Sequence, residues 1–195
     1  MIREFISNIE RRNGLVKNNR FKVNMDIPAV IGVDSSPRAS RALSLLCEST
    51  ALPGKVLNTT PVKVYGPTYE IPYQKQYDTI DFNFLCTNNG NERRIFDTWI
   101  EYIMPSQTNN MRFPRGTNGL GGEGYLTQIY IEQYNDYSVS EAKGLEETDN
   151  GEVLKRIHLV DAFPKQYTAQ ALNWGDDGFL RLSVQFSYRR FIELI

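Results

Sequence analysis

Most long runs of this chain carry hydrophobic residues at a period of two, the mark of half-buried strands. Thr79 to Cys86 sets Ile80, Phe82 and Phe84 on one face and Asp81 and Asn83 on the other. Phe179 to Phe191 sets Leu180, Leu182, Val184, Phe186 and Tyr188 against Arg181, Ser183, Gln185, Ser187 and Arg189. Phe21 to Ile27 and Tyr125 to Tyr134 read as strands, and Glu152 to Pro164 as a strand that ends at its proline. Leu43 to Cys47, Pro61 to Tyr65 and Ala169 to Trp174 are shorter candidates. Helical spacing occurs twice. Ile2, Phe5, Ile6 and Ile9 form an amphipathic stripe stopped at Asn13-Gly14, and Ile95, Phe96, Trp99, Ile100 and Ile103 form a second stripe stopped by Pro105. Asn88 to Asn91 offers capping side chains before that second helix. Residues 29–42 predict an exposed loop, and Gly66 to Asp78 a long polar and aromatic connection. Residues 105–123 predict a loop rich in Gly, Asn and Pro, and 136–151 a polar, acidic loop or weak strand.

These elements predict a mainly β chain: two antiparallel sheets in a barrel-like or sandwich domain, with one flanking α-helix and a short N-terminal helix. A length of 195 residues suits a single domain across 1–195, with 1–20 as an N-terminal helix or arm and 29–42 and 105–123 as loop insertions. A formal net charge of −1 gives no electrostatic pointer to nucleic acid or an anionic membrane. The first residues lack the apolar core of a signal peptide, and no stretch approaches the roughly 20 apolar residues of a membrane span. Two cysteines without a secretion signal suggest reduced thiols inside a cell.

Catalytic chemistry needs a constellation, and none is visible. His158 is the one histidine and lies mid-strand between Ile157 and Leu159. Cys47 and Cys86 could pair with it only by distant convergence, and two Cys with one His give no zinc spacing. Gly119 to Gly124 lacks the Lys-Ser/Thr that completes a phosphate loop. Asp176-Asp177 and Glu146-Glu147 are carboxylate pairs in turns or loops, solvated or at most calcium-binding. Arg93-Arg94 and Arg189-Arg190 are isolated doublets, not a nucleic-acid stripe. The reading is no catalytic residue, no cofactor and no metal.

Three stretches carry a family resemblance. Cys47-Glu48-Ser49-Thr50-Ala51-Leu52-Pro53-Gly54 follows a short strand; the strand from Asp78 to Phe84 precedes Arg94-Ile95-Phe96-Asp97-Thr98-Trp99-Ile100; and Ile157 to Pro164 precedes Ala171-Leu172-Asn173-Trp174 and the last alternating strand. In order and spacing, over about two thirds of the chain, they resemble the tail tube proteins of contractile-tailed phages of the T-even-like group. The resemblance implies a homohexameric ring whose subunits contribute strands to one inner barrel. Rings would stack into a hollow tube that passes DNA and the tape measure protein, with sheath, baseplate and tail terminator proteins as partners and no membrane binding. The location implied is the virion tail, assembled in the host bacterial cytoplasm. It implies inter-ring contacts at Leu52, Pro53, Gly54, Lys55, Val56 and Leu57 and at Phe5 and Ile9, with Lys63, Asp81 and Asn83 as candidates to face the lumen. Joining strand edges between subunits would remove the unpaired edges of an isolated sheet. Residues 29–42 and 107–123 are longer than this family leads one to expect. A baseplate tube initiator or an Hcp-like ring is the alternative role; a carbohydrate-binding sandwich or a small hydrolase is the alternative class.

Overall fold

The computed structural model describes residues 2–11, 15–32, 37–63, 65–114, 124–135, 153–175 and 177–194. Nine strands and three α-helices occur among them, with a single 3-10 turn at Ala29–Ile31. The strands are β1 (Phe21–Met25), β2 (Cys47–Thr50), β3 (Lys55–Val62), β4 (Tyr69–Tyr77), β5 (Ile80–Leu85), β6 (Thr127–Tyr134), β7 (Val153–Tyr167), β8 (Arg181–Ser187) and β9 (Arg190–Leu194). The helices are α1 (Ile2–Arg11), α2 (Pro37–Leu45) and α3 (Asn91–Ile103).

All pairings are antiparallel, and β7 joins two sheets. Its first part pairs with β6 and β9 and its last part with β8, so the hydrogen-bonded path runs β1-β6-β7-β8-β5-β2. The change of partner falls at Asp161, whose backbone sits at φ 57, a left-handed setting that Asp tolerates better than most residues. β7 does not stop at Pro164, as its sequence predicts, but runs on to Tyr167, with Pro164 buried opposite Phe186. The sheets face each other without closing into a barrel, since β1 and β2 end the path.

The inward faces are the apolar sides of the alternating runs. Ile129, Ile131, Ile157 and Leu159 meet Ile80, Phe82, Phe84, Leu182, Val184 and Phe186 in one core cluster. Helix α3 closes this core with Ile95, Phe96 and Trp99, and Phe186 lies edge-on to both Phe96 and Trp99, with centroids 6.1 and 6.0 Å away. Trp99 Nε1 donates to the Tyr125 carbonyl at 2.9 Å, so the indole's polar edge is satisfied in a dry site. The Asn88–Asn91 side chains do not cap α3. Gly90 holds the N-cap position at φ 63, and the buried Glu92 carboxylate accepts instead from Thr87 N and Oγ1 at 3.2 and 2.8 Å.

Three other expectations are corrected. The segment read as loop 29–42 followed by a strand at Leu43 holds α2, with Pro37 at its first position. That helix lies against edge strand β1, where the Ser44 and Ser40 hydroxyls accept from Met25 N and Ile27 N at 3.2 and 3.1 Å. A sheet edge is thereby covered. The connection after Gly66 contains strand β4, paired with β3 over its length. Residues 169–174 form no strand. The stretches 115–123 and 136–152, including Gly119 to Gly122 and Glu146-Glu147, lie outside the described residues.

Candidate assembly surfaces

The sheet formed by β2, β5, β8 and the last part of β7 turns its polar side outward. On β5, Asp81 and Asn83 alternate with the buried Ile80, Phe82 and Phe84; on β8, Ser183, Gln185 and Ser187 alternate with the buried Leu182, Val184 and Phe186. These side chains bond to one another across strands. Asn83 Nδ2 donates to Ser49 Oγ at 2.8 Å and Gln185 Nε2 to Asp81 Oδ1 at 3.0 Å. At the end of this face Arg181 grips Glu48 through Nε at 2.6 Å and Nη2 at 3.0 Å. That pairing holds the Glu48 carboxyl below its usual range. The result is a hydroxyl- and amide-rich face. Two of its edges, β2 and the Phe163–Tyr167 part of β7, carry a strand on one side only among the described residues.

β3 and β4 form a separate two-stranded ribbon. It continues the β2–β5 pair, entered from Thr50 through Leu52-Pro53-Gly54 and left through Asp78-Thr79 to Ile80. Its base is anchored, with Tyr77 5.6 Å from Phe191 and Lys55 Nζ 4.4 Å over the same ring. Beyond the base it projects into solvent: Val56, Leu57, Val62, Tyr69, Ile71 and Tyr73 are all exposed. An isolated two-stranded hairpin is marginal in water, and this one leaves its apolar side chains uncovered by the described residues of its own chain.

Of the expected assembly residues, Leu52, Pro53 and Gly54 form the entry to the ribbon, and Lys55, Val56 and Leu57 begin β3. Lys63 stands just past β3 at the ribbon's far end, apart from Asp81 and Asn83, which share the polar face. Phe5 is exposed and Ile9 half-buried on α1, where Ile2 and Ile6 are also exposed. Sequence reasoning missed the outer half of the ribbon, although Tyr69, Ile71, Tyr73 and Tyr77 do alternate. It also missed an exposed apolar loop between β7 and β8, which holds Leu172, Trp174 and Phe179.

The two thiols stand apart from the imidazole. Cys47 starts β2, Cys86 follows β5, and His158 lies on β7 in the other sheet. Burial pushes the Cys47 thiol up to about 12, so it is no thiolate at neutral pH. His158 is stacked on Tyr130 at 4.4 Å, its Nε2 is 2.7 Å from Gln128 Oε1, and burial lowers its pKa. Among the described residues no group of three or more His, Cys, Asp and Glu could hold a metal ion. No helix among the described residues is long and apolar enough to cross a membrane. An open groove of about 720 Å³ between β1 and α2 is lined by Arg20, Lys22, Asp26, Ser40 and Arg41 without a nucleophile–base pair.

A two-sheet body with a polar outer face and, among the described residues, one-sided strand edges and an uncovered ribbon has the build of a structural subunit. The family described as phage tail tube protein matches residues 16–194, and the chain belongs to that family. It is a structural subunit of a tail tube, a component of a tail, and not an enzyme. Among solved structures, a chain of the anti-feeding prophage (AFP) baseplate, 6-fold symmetrised, superposes with a TM-score of 0.62 at 11% identity, over 92% of this chain and 95% of that one. A chain of the PVC sheath–tube complex, an extracellular contractile injection system in its extended state, gives a TM-score of 0.58 at 17% identity, over 92% and 91%. One from the PVC sheath/tube terminator gives 0.58 at 16%, over 93% and 97%. At these identities the likeness is one of fold. No curated protein matches.

Proposed function

We propose that the chain acts as one domain that joins side by side into rings of six, which stack into a hollow conduit for DNA and the tape measure protein. The observation that carries this reading is the ribbon, which leaves six large apolar side chains in solvent on a protomer that otherwise buries its core. Covering them stabilises a stack by about 25 cal/mol per Å² of apolar area, less the cost of ordering the contact. Side-by-side closure uses the one-sided edges of the polar sheet, β2 of one copy against the Phe163–Tyr167 segment of the next, because α2 already covers β1. Asp81 and Asn83 then face the channel with Ser183 and Gln185, and Lys63 joins the inter-ring contact from the ribbon tip. Leu52 to Leu57, with Phe5 and Ile9 of α1, make the remaining contacts between copies. Sheath, baseplate and terminator proteins are the further partners, with assembly in the host bacterial cytoplasm.

The test is negative-stain microscopy over a concentration series with mass from light scattering, on the intact chain and on one lacking residues 52–61. Rings and tubes from the first and rings alone from the second are expected. Rings of the intact chain that stack only on a baseplate template point to an initiator role. A protein that forms no ring at any concentration and does not add to a preformed baseplate overturns the proposal.

A further inference from the structure

The outer-facing sheet has two unlike ends, with the ribbon at one and the β7–β8 loop at the other. β2 ends and β5 begins where the ribbon leaves the body. The opposite end of the sheet is set by the register Leu85↔Arg181, and there the β7–β8 loop crosses. It is tied down by Leu180 O, which accepts from Cys86 N at 3.0 Å, and by Gln170 Nε2, which donates to Arg181 O at 3.0 Å. Beyond these ties the loop lifts Leu172, Trp174 and Phe179 into solvent, with Trp174 fully exposed.

We propose that this loop of one copy receives the ribbon of the next copy in the stack, an inference that rests on the tube reading. Two features at opposite ends of one protomer meet when copies stack head to tail, the arrangement that propagates without closing. Their chemistry matches. Cross-strand pairs share a face, so Thr60↔Ile71 and Val62↔Tyr69 place one apolar patch on the outer half of the ribbon. The loop offers two aromatic rings and a leucine, and aromatic side chains bury about 150–250 Å² each. Residues 55–77 carry Lys55, Lys63 and Lys75 against Glu70, whereas the described part of the β7–β8 loop carries Asp177 and no basic residue. Complementary charge of this kind fixes orientation more than affinity. The ribbon also works against any other mode of docking. Pro61 and Pro72 sit one in each strand, opposite Glu70 and Thr59, and a strand proline removes an outward donor that edge-to-edge pairing needs. The ribbon therefore docks by its face.

The two tryptophans provide the readout, since Trp99 is fully buried and Trp174 fully exposed. In unstacked protein, acrylamide should quench the Trp174 emission and spare Trp99. In tubes the quenchable component should disappear and the emission shift to the blue. The variants Trp174→Ala/Phe179→Asp and Ile71→Asp, each with wild-type circular dichroism, should form rings and no tubes. Tubes of normal length from both loop and ribbon variants, or a Trp174 still fully quenchable in wild-type tubes, overturn this docking and leave the tube reading standing. Loss of rings as well as tubes in the loop variant places the loop within the ring and also overturns it. Wild-type protein that forms neither rings nor tubes, even on a preformed baseplate, overturns both.

Discussion

Replacing Trp99 by Phe isolates the contribution of the residue that joins α3 to both sheets. The indole is fully buried, parallel to Phe96 at 6.4 Å and edge-on to Phe186 at 6.0 Å, and it donates to Tyr125 O at 2.9 Å. Phenylalanine retains the ring contacts and removes the donor. The stranded Tyr125 carbonyl costs about 1–3 kcal/mol, and the lost part of the indole about 1–2 kcal/mol more in transfer and cavity terms. The total, roughly 2–5 kcal/mol, is a large share of the ~5–15 kcal/mol by which domains are stable. Urea unfolding followed by far-ultraviolet circular dichroism measures it. With a slope of about 2 kcal/mol per molar, the middle of the usual range, the midpoint should fall by roughly 1–2.5 M at unchanged slope. The exposed Trp174→Phe serves as the control, expected within about 0.5 kcal/mol of wild type. A Trp99→Phe midpoint as close to wild type as that control would refute the account of how α3 closes the core.

Ser40→Ala and Ser44→Ala each leave an amide without its acceptor, Ile27 N just past β1 or Met25 N at its end; each should cost about 1 kcal/mol and speed hydrogen exchange at that amide, and unchanged exchange would contradict the covered edge. Tyr188 Oη is buried without a hydrogen-bond partner among the described residues, so Tyr188→Phe should be neutral or stabilising by urea unfolding, and a loss above about 1 kcal/mol would contradict this. Burial pushes Tyr134 and Tyr188 up to about 12, Tyr134 with help from the Glu132 carboxylate it donates to. Because the unfolded chain ionises near pH 10 and the folded one later, their stabilisation is complete below about pH 10 and is lost as pH rises towards 12. The urea midpoint should fall between about pH 10 and 12, and less so in Tyr188→Phe. In a Cys86→Ser background Cys47 should react slowly with a thiol reagent at pH 8 and rapidly once unfolded; rapid labelling of the native protein would show that its thiol is not buried.

What could be read in the chain follows from where water lies. Ile80, Phe82 and Phe84, and Leu182, Val184 and Phe186, alternate because one side of their sheet is core and the other is wet. The α3 stripe is legible for the same reason. The ribbon obeys no such rule: both its faces meet solvent in the protomer, so burial imposes no inside–outside pattern on Tyr69 to Tyr77, and Pro72 masks what alternation remains. Helix α2 is short and buries only Ser40 and Leu43, leaving Pro37 at its first position as the one available signal. β7 outruns Pro164 because its last residues pair with β8 alone, and a proline is tolerated where no donor is required. Asp81 and Asn83 were legible as an outward face, but their neighbours Ser49 and Gln185 come from distant parts of the chain and only the fold assembles them. The Ala171-Leu172-Asn173-Trp174 stretch was legible as a family feature, but no periodicity marks it as exposed, and only the fold places it at the end of the sheet opposite the ribbon.

A cryo-electron microscopy reconstruction of the assembled protein tests the central claim most directly. The account predicts stacked rings of six, with Asp81, Asn83, Ser183 and Gln185 lining a continuous channel and β3–β4 crossing from each ring to the next. A ring in which that polar face points outward, or a ribbon that stays in solvent between rings, would contradict it.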